Sequence, residues 1–172
     1  MTSPQGDKAM TATAKGSRMI RGTALAVSVL ATTLLAAPAP LAADELIILV
    51  VDKPFEAAWQ DLESAVKANK MGVVTRASAS RGAKGRGLDI PGNAVVGVYR
   101  NDYAVRMLEA SIPAGIEAPL RFYLTERDDG STGLSYKRPS AVFAPYGSAD
   151  LDAMAADLDA VFQKIAKDAG AR

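Results

Sequence analysis

The chain has 172 residues, with 20 lysines and arginines against 19 aspartates and glutamates. That length suits one domain, and that balance gives the protein as a whole no pull toward nucleic acid or an anionic membrane. It has no cysteine and no histidine, so disulfides, thiolate nucleophiles, zinc fingers, iron–sulfur clusters and imidazole bases are excluded, and any catalysis would fall to carboxylates, Lys, Tyr, Ser, Thr or a hard cation held by oxygens.

Residues 1–21 are polar and net basic, ending in Lys15, Arg18 and Arg21. An uncharged stretch, 22–37, leads to Pro38-Ala39-Pro40-Leu41-Ala42-Ala43 before Asp44. This is the layout of a secretory signal peptide, with cleavage expected after Ala43. The alternative, an uncleaved anchor, asks for roughly 20 apolar residues, more than this run supplies. Without a cysteine near the cut there is no bacterial lipid anchor, and Arg18 and Arg21 are not adjacent, which favours export of the unfolded chain over a twin-arginine route. The expected product is a single domain, 44–172, with 16 basic and 18 acidic residues, periplasmic or secreted and without a stable membrane anchor.

Residues 45–51, ELIILVV, form an apolar run too short for a typical helix, and the pattern predicts a strand covered on both faces. Pro54 and Glu56 suit the first turn of a helix whose buried stripe is Phe55, Trp59, Leu62 and Val66, ending at Lys70-Met71-Gly72. Trp59 could be a ligand platform; on that stripe it is expected in the core. A second strand is predicted over 72–80. It is followed by Arg81-Gly82-Ala83-Lys84-Gly85-Arg86-Gly87, read as a mobile solvated loop, with an anion-binding loop as the alternative. The run matches neither a Walker loop nor a dinucleotide fingerprint.

After the turn at Pro91-Gly92-Asn93, residues 94–100 (AVVGVYR) are predicted as a strand apolar on both sides. Asn101 or Asp102 can cap a short helix carrying Val105, Met107 and Leu108, and 111–118 is a connection. Residues 119–139, PLRFYLTERDDGSTGLSYKRP, read as a hairpin. A two-residue loop at Asp129-Gly130 would set Leu124 opposite Ser135. A three-residue loop, Asp128-Asp129-Gly130, sets Leu124 opposite Leu134 and Phe122 opposite Tyr136, keeping the apolar residues on one face, with Gly130 supplying the positive φ. Turns follow at Pro145 and Gly147. Ser148 then caps a final helix with Asp150 and Asp152 in its first turns, a buried face of Leu151, Met154, Ala155, Leu158, Val161, Phe162, Ile165 and Ala169, Asp157 and Asp159 on the exposed side, and Lys164 and Lys167 near its end.

The predicted order is strand, helix, two strands, helix, two strands, helix: an α+β, two-layer α/β sandwich with a largely antiparallel sheet. Pro54-Phe55, the run Ala114-Gly115-Ile116-Glu117-Ala118-Pro119-Leu120, Asp129-Gly130, and Ser135-Tyr136 with Pro139 together resemble the domain of unknown function 302 family over most of residues 44–172. The resemblance implies a compact, often dimeric domain with no assigned catalytic residues. Two departures stand out. Glu117-Ala118 occupies a place where Asp-Leu is common, and Lys137-Arg138 one where small polar or acidic residues are common.

The hairpin register puts Arg121 opposite Lys137 and Tyr123 opposite Ser135 on the outer face. Directly opposed like charges are unfavourable unless they splay into solvent or meet an acidic group, a partner protein or an anionic ligand. Three helices normally cover one side of a small sheet, so the other side calls for a homodimer contact or an apolar ligand cavity. The carboxylates mostly have structural duties, and no calcium-loop pattern is present; Glu117 with Glu126 would do acid–base work only if they converged. The sequence thus points to an exported, non-enzymatic binding or interaction domain whose candidate anion- or partner-binding residues are Arg81, Lys84, Arg86, Arg121 and Lys137, with Tyr123, Glu117 and Glu126 second. No catalytic or metal-binding residue and no cofactor is assigned. The competing expectation is a hydrolase or lyase using carboxylate and Tyr.

Overall fold

The computed structural model describes residues 46–172. The signal peptide expected at 1–43 lies outside the described residues. In chain order come β1 (Leu46–Val51), α1 (Phe55–Ala68), β2 (Gly72–Ala77), α2 (Ala79–Lys84), β3 (Asn93–Tyr99), α3 (Asn101–Ala110), β4 (Leu120–Glu126), β5 (Thr132–Lys137), α4 (Pro139–Phe143) and α5 (Ala149–Asp168), with 3-10 turns at Ile112–Glu117 and Ala144–Tyr146. The five strands form one sheet in the order β1-β5-β4-β3-β2, antiparallel throughout. Among the described residues, helices pack on one face. The fold is an α+β two-layer sandwich.

The hairpin of β4 and β5 sits at the centre of that sheet, in the register the three-residue loop demands: Phe122 pairs with Tyr136 and Leu124 with Leu134. Arg127 donates its backbone N–H to the carbonyl of Ser131 at 3.0 Å, Gly130 donates to the carbonyl of Arg127 at 3.0 Å, and Gly130 has φ +79°. The Asp129 carboxylate accepts from the Ser131 backbone N–H and hydroxyl, which holds the bend from within. All four inward side chains are buried, and Phe162 of α5 stacks on Phe122 with ring centroids 4.7 Å apart. Ala94, Val96 and Val98 of β3 extend this apolar floor, and Phe55, Trp59, Leu62 and Val66 of α1 close over it. The buried Thr132 hydroxyl donates to the Lys53 carbonyl at 2.8 Å, tying the hairpin to the turn after β1.

Helix ends follow local chemistry. Ser148 caps α5 by accepting from the Leu151 N–H, Asp150 and Asp152 lie in its first turn, and Lys167 in its last. α1 ends at Ala68, and Lys70, with a φ of 58°, begins the reversal into β2.

Several expectations are corrected. β1 is not covered on both faces. It is an edge strand, and Ile48 is 70% and Leu46 50% exposed because the helix layer lies only on the side of Ile47, Leu49 and Val51. β2 ends at Ala77, three residues early, because Ser78 turns away to cap α2 by accepting from the Arg81 N–H. Most of the Arg81–Gly87 run is therefore the end of a short helix and its exit turn, not a mobile loop. Helix α3 begins at Asn101, with Arg100 in the cap position; Met107 is buried, whereas Val105 and Leu108 face solvent. Asp159 does not simply point outward. It accepts from the Ser140 N–H at 2.9 Å and hydroxyl at 2.6 Å, fastening the first turn of α4, a helix the sequence pattern did not suggest. The pattern also missed the exchange of two 3.0 Å backbone hydrogen bonds between Val50 and Arg172, which covers part of the outer edge of β1.

Candidate functional site

The alternation of β-strands puts every second residue on the face away from the helices, and the registers order those residues into rows across the sheet. One row runs Ile48, Ser135, Tyr123, Val95, Ala77. The next runs Leu46, Lys137, Arg121, Gly97, Thr75, with Arg121 and Lys137 opposite each other one step beyond the Phe122–Tyr136 pair. Most members are small or apolar, so the two cations stand on a flat, largely neutral surface.

Where β5 runs into α4, this surface becomes a hollow of about 630 Å³. Leu46, Val95, Tyr123 and Ser135 form part of its floor, Arg121 and Lys137 its charged part, and Val142, Pro145 and Glu117 a wall. Two polar ties hold the wall. Tyr146 donates its hydroxyl to Glu117 Oε1 at 2.9 Å, and Asp159 secures the start of α4. The Tyr146 hydroxyl is made less acidic than usual, first because it donates to the Glu117 carboxylate and second because of burial. Arg121 makes no ion pair among the described residues, whereas Lys137 and Arg138 each have an interaction partner.

The structure thus brings four of the eight sequence-selected residues together: Arg121, Lys137, Tyr123 and Glu117. The other four lie elsewhere. Arg81 turns toward the helix layer, its guanidinium 3.8 Å above the centroid of the Trp59 ring and 2.7 Å from Glu56 Oε2. Trp59 is accordingly a core residue roofed by an arginine. Its indole N–H is buried without an acceptor in hydrogen-bonding geometry, although the N–H also favours the charged form of nearby Glu63. Lys84 and Arg86 are exposed at the end of α2 and just after it. Glu126 accepts from the Gly92 N–H at 2.6 Å at the far end of β4 from Glu117. An extended strand separates the two carboxylates, so they do not form an acid–base pair.

Sequence reasoning missed Val142, Pro145 and Tyr146, the residues that turn a flat face into a hollow. The signal available was Pro139, which can start a helix straight after a strand. Among the described residues, the carboxyls with shifted acidity are Glu63, Asp102, Asp129 and Asp168, all held below the usual range. Hydrogen bonds from Arg76, Arg100, Ser131 and Lys164 respectively are the main causes. These are signatures of ion pairing and capping at the surface, not of a proton donor poised in a cleft.

Fold and hollow together define an α+β sandwich in which, among the described residues, helices pack on one sheet face and the other carries at one end a hollow lined by Arg121, Lys137 and Glu117. The chain belongs to the family described as Domain of unknown function DUF302, whose model matches residues 47–169. It is also similar to the crystal structure of an uncharacterized conserved DUF302 protein from Bacillus stearothermophilus, with a TM-score of 0.65 and 18% identity, covering 72% of this chain and 97% of that one. At that identity the likeness speaks for the fold alone. No curated protein matches the chain.

Proposed function

We propose that the domain is a non-enzymatic binding module, exported from the cytoplasm, that takes the anionic group of a small molecule or partner in the hollow around Arg121. The observation that carries this reading is a guanidinium without an ion pair among the described residues, set beside a second cation on a neutral sheet face. Lys137 already has an interaction partner and Arg121 has no ion pair among the described residues, so Arg121 is the charge that a bound anion would neutralise. Arg121→Gln should therefore leave the unliganded domain as stable as before or raise stability by a few tenths of a kcal/mol. It should also abolish the rise in Tm that anions give the parent protein at constant ionic strength. Thermal denaturation of both proteins across a panel of organic and inorganic anions tests this; an equal rise in the variant removes Arg121 from the reading. Export predicts an intact mass beginning at Asp44 for protein recovered from its own compartment.

A second reading concerns the same face. Ile48 stands on the open side of an edge strand at 70% exposure, beside Leu46, and a second copy meeting it through a two-fold axis would bury both. Ile48→Glu is expected to leave the fold intact and to convert dimer into monomer in native mass spectrometry. A parent protein that stays monomeric at high concentration removes this reading.

A further inference from the structure

We propose, resting on the binding reading above, that the ligand of the Arg121 hollow is an amphipathic monoanion: one carboxylate on an apolar, preferably aromatic, body. Three features select this class. The charged part is small. Arg121 is the cation available to carry the recognition, since Lys137 already has an interaction partner. A planar guanidinium matches a carboxylate in a two-pronged geometry.

The second feature is Glu117. Its carboxylate lines the same hollow and is held there by the Tyr146 hydroxyl, so a fixed negative charge faces any ligand that enters. A dianionic phosphate doubles its repulsion from Glu117 as well as its attraction to Arg121, so the carboxylate offsets what a second negative charge would otherwise gain. Hollows that take phosphates instead gather several cations or backbone N–H groups, and this one places a carboxylate in the wall.

The third feature is the remaining lining. Leu46, Val95, Val142 and Pro145 are apolar, and Tyr123, 43% exposed, offers an aromatic surface beside them. At about 630 Å³ the hollow has room for a ring system as well as a head group. A small polar anion such as acetate would leave that apolar surface wet, whereas an aryl carboxylate would cover it.

Isothermal titration calorimetry with four probes tests the proposal: 1-naphthoate, acetate, inorganic phosphate and the neutral 1-naphthalenemethanol. 1-Naphthoate is expected to bind at least about tenfold more tightly than each of the other three. Arg121→Gln should remove the advantage over the neutral alcohol. Leu46→Ser should weaken 1-naphthoate and leave acetate unchanged. Both positions are exposed, and thermal melts of the variants establish that they fold. Phosphate or acetate binding as tightly as 1-naphthoate, with loss in Arg121→Gln, overturns the ligand class while the anion-binding reading stands. Binding of the neutral alcohol equal to that of 1-naphthoate in both proteins overturns the role of the head group. If no anion binds at all, the proposed function itself fails.

Discussion

Replacing Phe122 by alanine is expected to remove about 3–5 kcal/mol of folding stability, against the roughly 5–15 kcal/mol that holds a domain of this size together. Phe122 lies in β4, the central strand of the sheet, and is fully buried. Its ring meets Phe162 at 4.7 Å and Tyr136 at 5.1 Å, and those two rings meet each other at 5.6 Å. Truncation therefore takes away transferred apolar area, leaves a cavity between sheet and α5, and removes two of three aromatic pairs, each worth about 0.5–1.5 kcal/mol beyond burial. Urea denaturation reads the loss directly. Should the alanine variant not fold, Phe122→Leu gives the same information at smaller amplitude, because leucine keeps much of the apolar volume. A loss below about 1.5 kcal/mol for Phe122→Ala would mean that the layers are held together somewhere other than this triad.

This expectation is legible in the sequence because the hairpin carries its own register. The choice between a two- and a three-residue loop decides which side of β4 is apolar, and only Asp128-Asp129-Gly130 keeps Phe122, Leu124, Leu134 and Tyr136 together. The observed pairing follows that choice. α1 and α5 were legible for a related reason: Phe55, Trp59, Leu62 and Val66, and the longer stripe from Leu151 to Ala169, repeat at helical spacing and end at recognisable caps.

What sequence could not supply was which strands are edges. Residues 45–51 and 94–100 look alike as apolar runs, yet β1 ends up at the rim with Ile48 in solvent, and β3 lies inside the sheet. That difference is set by strand order, a long-range property with no local signature. The same holds for the charged candidates. Arg81, Lys84 and Arg86 are neighbours in sequence and look like the strongest cluster, but one capping serine makes that segment helical and sends Arg81 onto Trp59. Arg121 and Lys137 are far apart in sequence and are made neighbours by the register alone. Val142 and Pro145 form a wall because Asp159, 19 residues away from Ser140 in sequence, fastens the start of α4.

Gly97→Ala is expected to destabilise the domain by about 1–3 kcal/mol, although alanine is ordinarily the better residue inside a strand by about 0.5–1 kcal/mol. The reversal of sign comes from crowding on the open face. A Cβ at this position would meet the Thr75 hydroxyl oxygen and lie 3.0 Å from Cγ of Pro119. Thr75 can turn its hydroxyl away, since it lies exposed on edge strand β2, but the proline ring has no such freedom. Two neighbours therefore make separable contributions. In a Thr75→Ala background, Gly97→Ala should lose only the part caused by Pro119, and the difference between the two losses measures the threonine contact. Urea midpoints for the four proteins of the cycle provide the numbers. If Gly97→Ala stabilised the protein in the parent background, Thr75 and Pro119 would not crowd a side chain at this position. Gly97 also pairs with Arg121, so the close fit that forbids a side chain there belongs to the same row as the cationic hollow. Binding of 1-naphthoate to Gly97→Ala should therefore weaken along with stability, whereas Phe122→Leu, on the opposite face, should lose stability and keep its affinity.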